Sequence, residues 1–314
     1  MTQGRSPSIL RKWLIAGRPW SFPASTMPVV FGTSLAAVIG GAPLSWWKFL
    51  LALVAMIVLH AAANVTSDVY DFQRGLDRDV TPVSGAVVRG WLTTSQALAG
   101  GAVLFAVGSL IGLFLVLKTG WPLLAIGAVG LPIGIFYPFL KYRAFGDLAV
   151  FLNFGILGSL GAWTVQTGRL SWIPAVWTVP MAMLVIAILH ANNWRDSISD
   201  TKKRVTTVAS LLGDTGSLRY YQALIFVPFV IVLALIVVPR TLSVSQLMAM
   251  PVTFLLVLLA LPRALELSRR ARERRAPRRP LDFVILDGAT ASYNLLFGLL
   301  CIASLWIYLA MKEL

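Results

Sequence analysis

Nine mostly apolar runs, roughly at 22–40, 47–66, 97–117, 121–140, 147–167, 172–191, 220–239, 244–262 and 288–311, leave this 314-residue chain few folds to choose from. About 20 apolar residues in a helix cross the hydrocarbon of a bilayer, and inside lipid every backbone N–H and C=O must find its partner within the segment. The expected fold class is therefore all-α, a polytopic membrane protein built as a bundle of nine transmembrane helices. Only Lys118 to Gly120 separate the third and fourth runs, and Thr167 to Ser171 the fifth and sixth, which predicts antiparallel helical hairpins. Composition agrees, with 57% hydrophobic and 13% charged residues. Residues 22–314 read as one membrane domain. Residues 1–21 read as a basic, interfacial N-terminus and not as a cleaved leader, because the first run continues to full spanning length. Pro23 and Pro28 predict a kink in that first span.

Charge sets the expected orientation. Of the 27 Lys and Arg residues, 22 fall on one side of the bundle and five (Lys48, Lys118, Arg169, Arg240 and Lys312) on the other. The N-terminus is expected in the cytoplasm and the C-terminus across the cell membrane. The net charge of +14 then reads as affinity for an anionic leaflet. The run from Arg263 to Arg279 is expected to be a solvated or headgroup-facing loop, and no recognition motif beside it makes nucleic acid a partner. A single cysteine, Cys301, excludes an intrachain disulfide and a cysteine-based metal site. No GxxxxGK[ST] phosphate loop and no zinc signature occurs.

The chemistry concentrates where two apolar runs end. In NVTSDVYDFQRGLDRD, Asn64, Asp68 and Asp71 fall at i, i+4 and i+7, which places an amide and two carboxylates on one helical face. In NNWRDSISD, Asn192, Asn193, Asp196 and Asp200 repeat the pattern, with Asp196 lying 128 residues after Asp68. Acidic groups in a membrane helix cost several kcal/mol unless they pair, hold a cation or line a wet cavity. Two such faces, ringed by cations, suit a diphosphate held through Mg²⁺, which takes oxygen ligands and commonly bridges one or two carboxylates to substrate phosphates. The candidate cations are Arg74, Arg78 and Arg89 after the first face, Lys141 and Arg143 in the next connection, and Arg195, Lys202, Lys203 and Arg204 around the second. A cation or proton pathway, or helix ends that are simply solvated, would present the same residues.

The segments RPWSFPASTMPVVFGT from Arg18, NVTSDVYDFQRGLDRD from Asn64, FGDLAVFLNFGILGSLGAW from Phe145 and HANNWRDSISD from His190 resemble the UbiA-type intramembrane prenyltransferases. The likeness covers nearly the whole chain. Within that superfamily the form NxxxDxxDFxxGxD and the later NNxRDxxxD are most similar to the 1,4-dihydroxy-2-naphthoate prenyltransferases of menaquinone synthesis. Phe72 stands where the 4-hydroxybenzoate branch has its last Asp, and Arg204-Val205 stand where the naphthoate branch commonly has Gly-Lys.

The resemblance implies a nine-helix enzyme with Asp-rich cytoplasmic loops. It would use Mg²⁺ to transfer a polyprenyl group from its diphosphate to an aromatic acceptor and would release pyrophosphate. Asn64, Asp68 and Asp71 would hold one Mg²⁺, Asn192 or Asn193 with Asp196 and Asp200 a second, and Asp77 would sit near them. Tyr137, Lys141, Arg143, Lys203, Arg74 and Arg78 would contact diphosphate, with Asp147 orienting one of them or capping the next helix. Arg89 or Arg195 would bind the acceptor carboxylate. Other acceptors (4-hydroxybenzoate, another phenol, a chlorin or a lipid) and a cation-coupled transporter are the alternatives. His60 and His190, on apolar helices, read more readily as packing residues than as proton carriers.

Overall fold

The computed structural model describes residues 7–76, 80, 84–203, 205–241, 249–273 and 284–313. Among them every regular element is helical apart from one isolated bridge between Arg143 and Thr206. The helices are α1 (Ile9–Gly17), α2 (Pro23–Val38), α3 (Trp46–Gln73), α4 (Thr94–Thr119), α5 (Trp121–Ile135), α6 (Tyr137–Lys141), α7 (Gly146–Thr167), α8 (Trp172–Trp177), α9 (Val179–Lys202), α10 (Val208–Thr241), α11 (Leu261–Glu273) and α12 (Val284–Glu313).

By length and apolar character, five helices among the described residues are able to cross a bilayer, or six if the pair around residues 18–22 counts as one bent span. The expected runs that fall short are broken at prolines. The run at 121–140 divides at Phe136, between Pro132 and Pro138, and the run at 172–191 divides at Thr178, between Pro174 and Pro180. Each proline removes a backbone donor and crowds the turn before it. The run at 244–262 is described only from residue 249, where Pro251 leads a 3₁₀ segment, Val252–Ala260, into α11.

The first span bends by 61° at the break between Ser21 and Pro23, so of the two prolines expected to kink it Pro23 does and Pro28 does not. α2 runs unbroken through Pro28, and the chain also turns at Arg18, whose φ of 53° is left-handed, followed by a 3₁₀ turn over Pro19–Ser21. The arginine-rich stretch is also not simply a loop. Its first part is α11, which buries Ala264, Leu267, Ser268 and Ala271 and pairs Arg263 and Arg270 with Glu266.

Two buried clusters organise the bundle. The larger joins α2, α9, α10 and α12 through residues such as Phe31, Trp194, Tyr221, Phe254 and Phe297. The smaller packs α1 and the α3 end against residues 86–97, through Val65, Val69 and Ala86. Glycines set the closest approaches: a Cβ on Gly32 would stand 2.2 Å from the Ser159 carbonyl oxygen, so α2 and α7 touch backbone to backbone there.

Candidate active site

Both Asn/Asp motifs lie in helices and not in loops. Asn64, Asp68 and Asp71 occupy the last turns of α3, and Asn192, Asn193, Asp196 and Asp200 those of α9. The two ends meet across one cavity of about 350 Å³. Asn64, Asp71, Asn192, Asn193, Asp196 and Asp200 line it, together with Tyr137, Lys141, Arg195 and Lys203. Apolar residues also line it, among them Phe154, Val185 and Ile188.

Asp71 is 4% exposed and is held through both carboxylate oxygens. Lys141 Nζ lies 3.2 Å and 3.3 Å from its two carboxylate oxygens, and the Tyr142 hydroxyl donates to Oδ1 at 2.9 Å. Burial works against the Lys141 charge, but the Asp71 carboxylate overrides it and holds the lysine above its ordinary pKa; Asp200, from the other motif, acts in the same direction. Burial and then Asp71 likewise push the Tyr142 phenol upward. Arg74 does not line the cavity. Its guanidinium stacks 4.4 Å from the centre of the Tyr142 ring and so supports the group that holds Asp71.

Asp68 departs from the single-face expectation. Its carboxylate turns to Arg18 Nη2 at 3.3 Å and to the Val87 backbone N–H at 3.1 Å, and it does not line the cavity. Steps of 100° put Asp68 about 60° around the helix from Asp71, enough for the 84–87 turn to cover one and not the other. That turn needs glycine at position 85, where a Cβ would sit 1.9 Å from Asp68 Oδ1.

Asn64 is fixed in orientation. Its Nδ2 donates to the Gly17 carbonyl at 2.9 Å and to Ser21 Oγ at 3.1 Å, which leaves its carbonyl oxygen as the group available to an ion. His60 is buried against Ser21 Oγ (3.3 Å) and Ser25 Oγ (2.8 Å) and packs on Phe154, so it anchors the bend after α1. His190 Nε2 meets the Ser217 carbonyl at 3.2 Å and its ring packs on Trp194 and Tyr220, in a buried packing role.

The second motif is closed by its own arginine. Arg195 grips both oxygens of Asp196 at 3.0 and 2.9 Å, bonds Asn192 Oδ1, and reaches Asp287 Oδ2 on α12 at 2.5 Å. Lys203 bonds the carbonyl oxygens of Gly75 and Leu76, the latter at 3.1 Å, and so ties the exit of the second motif to that of the first.

Several predicted residues stand elsewhere. Arg89 bonds the Ser84 carbonyl and stacks on Trp91, and Arg143 sits in the bridge to Thr206; neither lines the cavity. Asp147 is buried in the first turn of α7, where it neither caps that helix nor lines the cavity, and its carboxylate oxygens have no hydrogen-bond partner among the described residues. Asp77 and Arg78 lie outside the described residues, as does Arg204. Two charged cavity residues, Arg18 and Asp287, were not among the expected site residues. Arg18 falls in the stretch expected to be a basic, interfacial N-terminus, and Asp287 stands one residue before the last apolar run; an acid at the mouth of a membrane helix was the available signal.

The donor set suits Mg²⁺. Among the described residues no group of three or more His, Cys, Asp or Glu side chains is placed to cage an ion. The carboxylate and amide oxygens here fit a cation that keeps several waters and takes the rest of its shell from phosphate.

A profile of the UbiA prenyltransferase family matches residues 25–286. The chain belongs to that family. The UbiA prenyltransferase domain-containing protein 1 of Danio rerio is 36% identical over 225 residues, which cover 70% of this chain and 66% of the relative. The protein of the same name from Xenopus tropicalis is 35% identical over 228 residues, covering 70% and 65%. The matched region thus spans just under two thirds of these relatives' length. Among solved structures, a UbiA homolog from Archaeoglobus fulgidus bound to DMAPP and Mg²⁺ superposes with a TM-score of 0.60 over 93% of this chain and 99% of that one, at 15% identity. The apo UbiA homolog from Aeropyrum pernix K1 gives 0.64 over 91% and 97%, also at 15% identity. At that identity the likeness establishes the fold of the UbiA family.

Proposed function

We propose that this protein transfers a polyprenyl group from its diphosphate to an aromatic acceptor, with 1,4-dihydroxy-2-naphthoate the acceptor, in the synthesis of a demethylmenaquinone. The observation that carries the reading is the meeting of two Asn/Asp helix ends, 128 residues apart, around one cavity that also holds Lys141, Arg195 and Lys203. Family membership and the diphosphate and Mg²⁺ in the Archaeoglobus relative support it. The naphthoate acceptor rests on the motif form NxxxDxxDFxxGxD and on Arg195, a planar fork suited to a carboxylate. Nine spans, with the broken helices counted as crossings and both motif ends at the cytoplasmic face, complete the proposal.

The residues divide the work by position. Asn64 Oδ1, Asp71, Asn192, Asp196 and Asp200 present oxygens to Mg²⁺, which when bound would neutralise the diphosphate and stabilise it as a leaving group. Lys141 and Lys203 both line the cavity, where they would offset charge that develops on the leaving oxygens. The allylic carbon then ionises toward the apolar floor, where Phe154 and its neighbours keep water from the electrophile. The electron-rich ring attacks that carbon at the position bearing the carboxylate, and loss of CO₂ restores the aromatic ring as the quinol, which dissolved oxygen afterwards converts to the quinone.

The test is pyrophosphate release by the purified protein with a polyprenyl diphosphate and Mg²⁺, offered 1,4-dihydroxy-2-naphthoate, 4-hydroxybenzoate or no acceptor, with product mass as readout. A demethylmenaquinol mass, or that of the quinone formed from it in air, carries the proposal. Product only from another acceptor moves the acceptor and keeps the transfer. No release in folded protein overturns both and points to a transport assay in sealed vesicles.

A further inference from the structure

Asp287 belongs to neither motif, yet it lines the same cavity from the first turn of α12. Its partner is Arg195, whose Nη1 lies 2.5 Å from Asp287 Oδ2 while Nε and Nη2 hold the two oxygens of Asp196. The arginine side chain is 7% exposed and Asp287 16%, so this pair is shielded from solvent and its geometry is set by packing. Nη2 also takes the Asn192 carbonyl oxygen. Two of the groups proposed for the second cation, Asp196 and Asn192, are therefore held by an internal cation. A cation that binds Asp196 must displace Arg195, and a buried guanidinium released without an anion is costly.

We infer that Asp287 is a positioning residue that retains Arg195 when a divalent cation takes Asp196 and Asn192. The two carboxylates stand on opposite sides of one guanidinium. Arg195 exchanges its bidentate hold on Asp196 for Asp287 alone, without leaving the cavity. Without Asp287 the arginine has Asp196 as its remaining carboxylate and competes with the metal. The inference rests on the proposed assignment of Asp196 and Asn192 as cation ligands.

The experiment is a double-mutant cycle on direct Mn²⁺ binding, with Mn²⁺ as probe, inorganic pyrophosphate present, and free Mn²⁺ read by electron paramagnetic resonance on the full chain in detergent. Asp287→Asn should weaken Mn²⁺ binding roughly tenfold, the scale for a residue that orients a metal ligand. In an Arg195→Gln background the same change should have no further effect. Asp287→Glu keeps the charge but moves the carboxylate by one methylene, so it should weaken binding in the presence of Arg195 only. It also serves if Asp287→Asn does not fold. An equal loss in both backgrounds would overturn the inference, because Asp287 would then act on the cation directly. No loss in either background would overturn it as well. If the wild-type chain binds no Mn²⁺, the inference falls together with the ligand assignment, whereas wild-type binding with an unaffected Asp287→Asn sinks the inference alone.

Discussion

Lys141 Nζ lies 3.2 Å from Asp71 Oδ2, and this pair joins a helix end before the first long connection to a short helix 70 residues later. Neither side chain is more than 13% exposed. Removing the lysine leaves a buried carboxylate whose side-chain donors among the described residues are the Tyr142 and Ser67 hydroxyls, and an uncompensated buried charge costs about 3–5 kcal/mol. Lys141→Met should lower unfolding stability by that order and reduce pyrophosphate release by at least about 10²-fold. Lys141→Arg should recover most of the stability. Thermal unfolding in detergent beside a turnover assay reads both; a Lys141→Met protein with wild-type turnover would remove Lys141 from the site.

The same pair sets a pH signature. Lys141 is held above its ordinary value of 10.5, so its stabilisation is complete below that pH and fades only as pH rises through the higher folded-state value. Tyr142, raised from 10.0, has the same sign. Unfolding temperature should owe nothing to this pair's titration between about pH 6 and 9 and should fall above pH 10. Lys141→Met should make that alkaline fall shallower. An unchanged slope would show that the pair does not titrate as the structure implies.

Asp71 and Asp196 line the cavity while Asp68 does not, and substitution should separate them. Asp71→Asn and Asp196→Asn should abolish turnover and weaken Mg²⁺ binding. Asp68→Asn should also abolish turnover, through the loss of the Arg18 and Val87 anchors, but should leave Mg²⁺ affinity within about threefold of wild type, since no first-rank ion contact is lost. Calorimetric Mg²⁺ titration decides it. An Asp68→Asn protein that no longer binds Mg²⁺ would return Asp68 to the ligand set.

Gly85 tests the cover over Asp68. A methyl group there would stand 1.9 Å from the carboxylate, so Gly85→Ala must shift the turn or the acid and should cost on the order of 1–3 kcal/mol. Gly127→Ala, on α5 with nothing within 4 Å of the added carbon, is the control and should be nearly silent. Equal stability for the two variants would mean that the 84–87 turn yields freely.

The two motifs were legible because unpaired carboxylates at the ends of apolar helices are expensive, so Asn64, Asp71, Asn192, Asp196 and Asp200 announced themselves by type and spacing alone. Lys141 and Lys203 followed as neighbouring cations. What stayed hidden depends on contacts between distant segments. Whether Asp68 faces the cavity is decided by a turn 19 residues later, which no helical periodicity encodes. Arg18 and Asp287 enter from the two ends of the chain, each outside the two Asn/Asp motifs. The prolines at 132, 138, 174 and 180 gave the helix breaks in principle, but an apolar run counted by length reads through them. At Pro28 the opposite happened, because α2 absorbs the missing donor without breaking.

Asp287 sits in the last helix of the chain, and the cavity is complete only when that helix has packed beside α9. During synthesis the ribosome therefore delivers both motif helices to the membrane well before the residue that closes the wall between them. Until then Arg195 has no second carboxylate, and the unfinished bundle lacks one side of the chamber that would keep water from a reactive carbon. On the proposed function, a chain at that stage would keep Arg195 on Asp196 and would bind a divalent cation only weakly.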